Sequence, residues 1–115
     1  MILWMRAFVL TVIVEGAVAH PLLGRAHPSM RRLVAVLIAN TFSHPIAWFL
    51  VPITGAHGLV LLLLIELWAL ASEAAVYRLS LPNTPWSRAL AVSAIANGAS
   101  LGTGAILRAN TDYLG

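Results

Sequence analysis

Three glutamates, two asparagines and a histidine stand inside otherwise apolar stretches of this 115-residue chain: Glu15, Glu66, Glu73, Asn40, Asn97 and His44, with Ser43 and Ser100 beside them. These are the side chains that could do chemistry. A carboxyl can hold and release a proton or bind a cation. An amide both donates and accepts hydrogen bonds, and an imidazole can act as a base or as a ligand to haem or a metal. Helical spacing gathers them. Asn40, Ser43 and His44 stand at i, i+3 and i+4, on one face. Glu66 and Glu73 stand at i and i+7, with Tyr77 four residues beyond. Ser93, Asn97, Ser100 and Gly104 form one stripe.

No recognised catalytic pattern joins them. G-x-S-x-G, H-E-x-x-H and phosphate-loop signatures are absent. Ser43 and His44 are adjacent in sequence, so on a helix their side chains diverge and form no dyad. There is no cysteine, which excludes disulfides, thiolate metal sites and a cysteine nucleophile. No histidine pair has ligand spacing on one helix. An enzyme is therefore not expected, and neither is a metal centre. For the asparagines and serines the plain expectation is an interhelical hydrogen-bond clamp. For His44 it is a hydrogen-bonded core histidine, with haem ligation through His44 as the sharper alternative; no other cofactor is expected.

The elements that must position these residues follow from composition. The chain is 60% hydrophobic and 10% charged, against about 25% charged residues in soluble globular proteins. A soluble domain of this size would expose large sticky patches, whereas lipid is a solvent for them. A span needs about 20 mainly apolar residues. Four are expected, from about Ile2 to Leu23, Leu33 to Val51, Gly58 to Leu79 and Ser87 to Leu107. They are joined by a nine-residue loop (Gly24 to Arg32), a short turn (Pro52 to His57) and a proline-rich turn (Ser80 to Trp86). Such short links make antiparallel neighbours. Ala17-Val18-Ala19 resembles a signal-cleavage site, but Glu15 interrupts the apolar run, and the first span is expected to stay uncleaved. Pro45 is expected to kink the second span and free a carbonyl near Thr41.

The net charge is +3 and every basic residue is arginine. No basic run exceeds Arg31-Arg32 and no arginines share a helix face, so nucleic acid is not an expected partner. Arg25, Arg31, Arg32, Arg78 and Arg88 flank the first and third loops, and the middle loop has none. Positive loops stay cytoplasmic, which puts both termini outside, with Arg6 and Arg108 weighing the other way. Trp4 and Trp48 are then expected at the outer interface, and Trp86 and Tyr77 at the inner one.

The chain also reads as a duplication. Ile38-Ala39-Asn40-Thr41-Phe42-Ser43 and Ile95-Ala96-Asn97-Gly98-Ala99-Ser100 share I-A-N-x-x-S. An arginine precedes each asparagine by nine residues (Arg31, Arg88), and Glu15-Gly16-Ala17-Val18 echoes Glu73-Ala74-Ala75-Val76. Two parallel hairpins, about residues 1–57 and 58–115 of a single transmembrane domain, would be related by an axis along the membrane normal. The expected fold is thus an all-α integral membrane four-helix bundle made of two tandem parallel hairpin repeats. Its polar stripes point inward, because a polar group facing lipid is costly. Gly98, Gly102 and Gly104 are expected to let helices approach closely.

With no lysine or arginine at mid-depth, an ionised carboxylate is strongly disfavoured. Glu15 and Glu66 are expected to be mostly protonated at neutral pH unless a cation or water binds there. A protonated carboxyl and an asparagine amide make a natural neutral pair across helices. Glu73, shallower, is expected within reach of Arg78 or Arg88.

In size, span number and a glutamate in the first span (Glu15), the chain resembles the small multidrug-resistance transporters. It lacks that family's glycine-rich and aromatic motif in the later spans and the charge-balanced loops that accompany pairing as inverted copies, so the resemblance implies scale alone.

Two functions fit these residues. The first is a non-enzymatic helical-bundle protein of a bacterial-type inner membrane, working as a homo-oligomer or as an accessory subunit beside other membrane proteins and lipids. The second is a proton- or cation-coupled small-solute transporter, in which Glu15 and Glu66 exchange a proton for the solute and Asn40 and Asn97 coordinate it.

Overall fold

The computed structural model describes residues 1–115. Four helices, α1 (Ile2–Leu22), α2 (Ser29–Pro45), α3 (Gly58–Ser80) and α4 (Trp86–Asn110), are joined by short links. Past Pro45, α2 runs on through a π-turn (Ile46–Leu50) and a 3₁₀ turn (Val51–Thr54). All four helices are long and apolar enough to cross a membrane. The bundle is 39 Å long, close to the ~40–45 Å of a bilayer with its headgroups.

Each helix packs against two neighbours: α1 on α2 and α4, α3 on α2 and α4. The result is a square in which α1 faces α3 along one diagonal and α2 faces α4 along the other. The two ends of the square differ. At the loop end, which carries the α1–α2 and α3–α4 links, the interior is a packed apolar plug. Leu23, Val36, Tyr77, Leu81 and Val92 fill it, and Ala19, Ala35, Ala39, Ala74, Ala89 and Ala96 let the backbones close around them. The terminal end, which carries both termini and the α2–α3 link, contributes little to this core. The exterior is aliphatic: Leu59, Leu63 and Leu67, one turn apart on α3, are all exposed.

The first link is shorter than its composition suggests. Pro28 has φ −57° and ψ 147° and immediately precedes the helix, so α2 starts at Ser29 and carries Arg31 and Arg32 in its first turns. Their guanidinium groups serve carbonyls that helix ends leave without a partner. Arg32 donates to His20 O at 2.7 Å and to His27 O at 3.1 Å, and Arg31 donates to Ser80 O at 3.1 Å. Gly24 turns the chain at φ +89°, and a β-carbon there would lie 2.7 Å from Arg88 Nη1. The loop-end arginines thus tie helix ends and links together.

Pro45 has no N–H to give to Thr41 O, and the chain widens just after it, Val51 N–H reaching back five residues to Ile46 O. The carbonyl that gains an outside donor is Ser43 O, which accepts from Trp68 Nε1 of α3 at 3.0 Å.

Two expectations fail on burial. Tyr77 is no interfacial residue: it is 0% exposed, inside the plug. Gly98 and Gly102 do not mediate packing inside the bundle. Both are exposed, and a β-carbon at either would meet nothing within 4 Å. On α4 they lie away from the stripe of Ser93, Asn97, Ser100 and Gly104, so the polar residues took the inward face and left these glycines outside.

Candidate functional site

Above the plug, a cavity of about 340 Å³ runs down the centre of the terminal half. Its mouth is ringed by exposed residues, Trp48, Pro52 and Arg108. Its floor is Glu15 and Asn40, both 0% exposed. Between them the walls carry Thr11, Ser43, His44, Glu66, Asn97 and Ser100. Seven of the eight residues singled out in sequence therefore line one cavity, and the eighth, Glu73, lies beneath it at 1% exposure. The arrangement follows from the inward stripes: each helix places its polar positions on the face turned toward the central axis.

The floor is where the two hairpins meet. On α4, Asn97 Nδ2 donates to Glu73 Oε2 of α3 at 2.7 Å and to Ser93 O at 2.8 Å. Ser93 Oγ donates to Leu70 O of α3 at 3.0 Å. On α2, Asn40 Nδ2 donates to Val36 O at 2.9 Å. Both asparagines thus anchor their amides on the carbonyl four residues back. They differ in what the rest of the amide meets: Asn97 bonds a carboxylate on the neighbouring helix, whereas Asn40 Oδ1 has no partner. Higher up, Ser100 Oγ lies 3.3 Å from Thr11 Oγ1 of α1. The expected interhelical clamp is therefore present at Asn97, Ser93 and Ser100, and at Asn40 the side-chain bond stays within its own helix.

Glu15 has Glu73, Asn40 and, farther out, Glu66 as its polar neighbours. No bond of hydrogen-bonding geometry reaches either of its oxygens, and Glu73 Oε1 and Tyr77 O–H are likewise without partners. Buried polar groups are normally paired, so such a cluster needs an explanation. Its atoms are mainly acceptors: four oxygens from Glu15, Glu73 and Asn40 meet one hydroxyl donor, that of Tyr77. Such a set takes a proton, a cation, or the donor groups of a solute.

Glu73 does not reach Arg78 or Arg88. It turns inward to Asn97, while the Arg78 guanidinium lies over Trp86, 5.7 Å from the ring centre, and Arg88 sits by Gly24. Counting depth from the helix end understated its burial, because the loop end is capped by side chains and links above α3's last turn. The repeat carried the better signal, since it sets Glu73 equivalent to Glu15.

His44 is fixed by ring packing. Trp4, Phe8 and Trp48 surround it at centroid distances of 5.9, 5.4 and 6.0 Å, and its Nδ1 has no hydrogen-bond partner. It is an aromatic wall residue of the cavity and not the hydrogen-bonded core histidine expected. No group of three or more His, Asp or Glu side chains is placed to hold a metal ion. Sequence reasoning gave no place at the mouth to Pro52, Arg108 or Leu114. They stand at helix ends and in the tail, where no periodic pattern marks them.

Comparison with protein-family models, with curated proteins and with solved structures gives no match in any of the three, so the site is read from its own geometry.

Proposed function

We propose that this chain is a coupled transporter of a small solute in a bacterial-type inner membrane, not an enzyme, and that it takes its solute from the side on which both termini lie. The observation that carries this reading is the cavity. It is open at one end of the bundle, closed at the other by the plug, and ends on unpartnered buried oxygens. A clamp that only held helices together would leave neither a cavity of about 340 Å³ nor orphaned carboxyl oxygens, because buried polar networks stabilise only when fully satisfied. A proton or cation at the floor exchanges against a solute whose donors meet the acceptor-rich end of the cavity.

Arginine distribution supports an outward-facing opening, with Arg25, Arg31, Arg32, Arg78 and Arg88 at the loop end and Arg6 and Arg108 at the other. The matched bonds of Asn40 to Val36 O and Asn97 to Ser93 O support two parallel hairpin copies, halves of one domain.

One observation favours the other reading, an oligomer or accessory subunit. Gly98 and Gly102 stand one turn apart on the outward face of α4 with nothing against them, and such a pair lets a second membrane helix approach closely.

The test is transport in proteoliposomes with a lumenal pH indicator, screened with small polar solutes. The wild type should move protons with at least one solute. Glu15→Gln, which keeps shape and hydrogen bonding, should stay folded and move none. A Glu15→Gln protein as stable and as active as the wild type would assign the floor to packing.

A further inference from the structure

We infer that Glu15 and Glu73 hold a single proton between them, and that Glu15 carries it while Glu73 remains a carboxylate. The inference rests on the transport reading only for the role of that proton, as the coupling ion. The assignment itself comes from the two amides.

Both asparagine NH2 groups are held on the carbonyl four residues back. That bond removes the ambiguity of amide orientation, because the opposite assignment would set two oxygens against each other. On α4 the second N–H of Asn97 points at Glu73 Oε2, 2.7 Å away. A donor at that distance satisfies a carboxylate, and the length suits a charge-assisted bond. On α2 the atom left free is Asn40 Oδ1, an acceptor. Its neighbour Glu15 can pair with it only by supplying an O–H. Glu73 Oε1, also without a donor, is the second acceptor beside the same carboxyl. A proton on Glu15 thus has two acceptors in reach. A proton on Glu73 would leave Glu15 an unpartnered anion facing Asn40 Oδ1, so two amides of one sequence motif make the pair unequal.

The surroundings leave the proton no other holder at this depth. From α1 only Glu15 faces the pair. From α2, His44 lies one turn toward the mouth, packed among rings. From α3, Glu66 lies on the cavity wall and Tyr77 lies one turn below, in the plug. From α4 the facing groups are Ser93 and Asn97, with Arg108 at the mouth. When the proton leaves, the O–H bond of Glu15 breaks and its electron pair stays on that oxygen. Two adjacent carboxylates then remain, which a buried site holds only if the incoming solute brings donors or positive charge. Release of the proton and entry of the solute are thereby one exchange, in a one-to-one ratio.

Infrared spectroscopy of the protein in lipid nanodiscs, with carboxyl-labelled glutamate, reads this directly. At neutral pH the C=O band of a protonated carboxyl assigned to Glu15 should vanish in Glu15→Gln and persist in Glu73→Gln. Glu66→Gln separates any contribution of Glu66. A band that survives Glu15→Gln and disappears in Glu73→Gln overturns the assignment. So does a wild type in which this pair is doubly protonated or doubly ionised, a count that needs only Glu66→Gln should Glu73→Gln fail to fold. A Glu15 band present in a protein that moves no protons with any solute would leave the shared proton standing and remove the transport reading.

Discussion

The structure makes the two asparagines of the repeated motif unequal, and their alanine variants measure how unequal. Asn97 Nδ2 bridges to Glu73 Oε2 across α3 and α4. Removing it loses an interhelical bond worth about 0.6–1.7 kcal/mol in membrane proteins and leaves a buried carboxylate oxygen without its donor, a loss of about 1–3 kcal/mol. These overlap, and about 2 kcal/mol is expected for Asn97→Ala. Asn40 bonds only Val36 O within its own helix. Its loss is offset by the roughly 0.5 kcal/mol by which alanine is the better helix former, and the Glu15 proton keeps Glu73 Oε1 as its acceptor. The expected cost of Asn40→Ala is therefore about 0.5 kcal/mol or less. Both side chains line the same cavity, so truncation enlarges existing space in each case and the void term largely cancels. The gap of about 1.5 kcal/mol corresponds to a roughly tenfold difference in the unfolding equilibrium. Unfolding in mixed micelles by a denaturing detergent, followed through the fluorescence of the four tryptophans, gives both numbers. Burial alone orders them the other way, because Asn40 is fully buried and Asn97 only partly. Equal costs, or a larger cost at Asn40, would refute the claim that the cross-helix bond decides.

Gly98→Ala and Gly102→Ala meet open space, and each should leave the isolated bundle unchanged or stabilise it by about 0.5–1 kcal/mol through helix propensity; a loss of stability or a change in oligomer size on gel filtration would instead reveal a second chain on that face. With no native cysteine, Ser80→Cys and Thr54→Cys can be labelled singly in whole cells, and a membrane-impermeant maleimide should reach the second and not the first.

What the sequence made legible was periodic. Four spans, the inward stripes and the gathering of Glu15, Asn40, His44, Glu66 and Asn97 all follow from apolar length and from polar residues three, four and seven apart. What escaped was set by contacts with no period. Pro28 moved the start of α2 and carried Arg31 and Arg32 out of the loop onto the carbonyls of α1 and α3. Tyr77 looks interfacial by its distance from the end of α3, yet Leu23 and Leu81, arriving from the two links, bury it. Glu73 was hidden by the same miscount. Gly98 and Gly102 share a helix with the inward stripe, and only the rotation of α4 against α1 and α3 decides which small residues face lipid.

The symmetry of the proposed repeat constrains how such a transporter could change sides. In inverted repeats, exchanging the conformations of the two halves turns an outward opening into an inward one. Hairpins related by an axis along the membrane normal do not have that property: exchanging their conformations regenerates an opening on the same side. Alternation must then come from bending within a hairpin, at a place where the helical ladder is already interrupted. The spans contain one such place beside the cavity, the segment from Pro45 through the π-turn to Thr54, where Ala47, Trp48 and Pro52 line the wall. Its counterpart in the second hairpin, the end of α4, is continuous helix to Asn110. The two copies therefore diverge at their outer ends. Movement in this bundle is expected to be one-sided, with α2 folding over a floor that α4, through Asn97 and Glu73, holds in place.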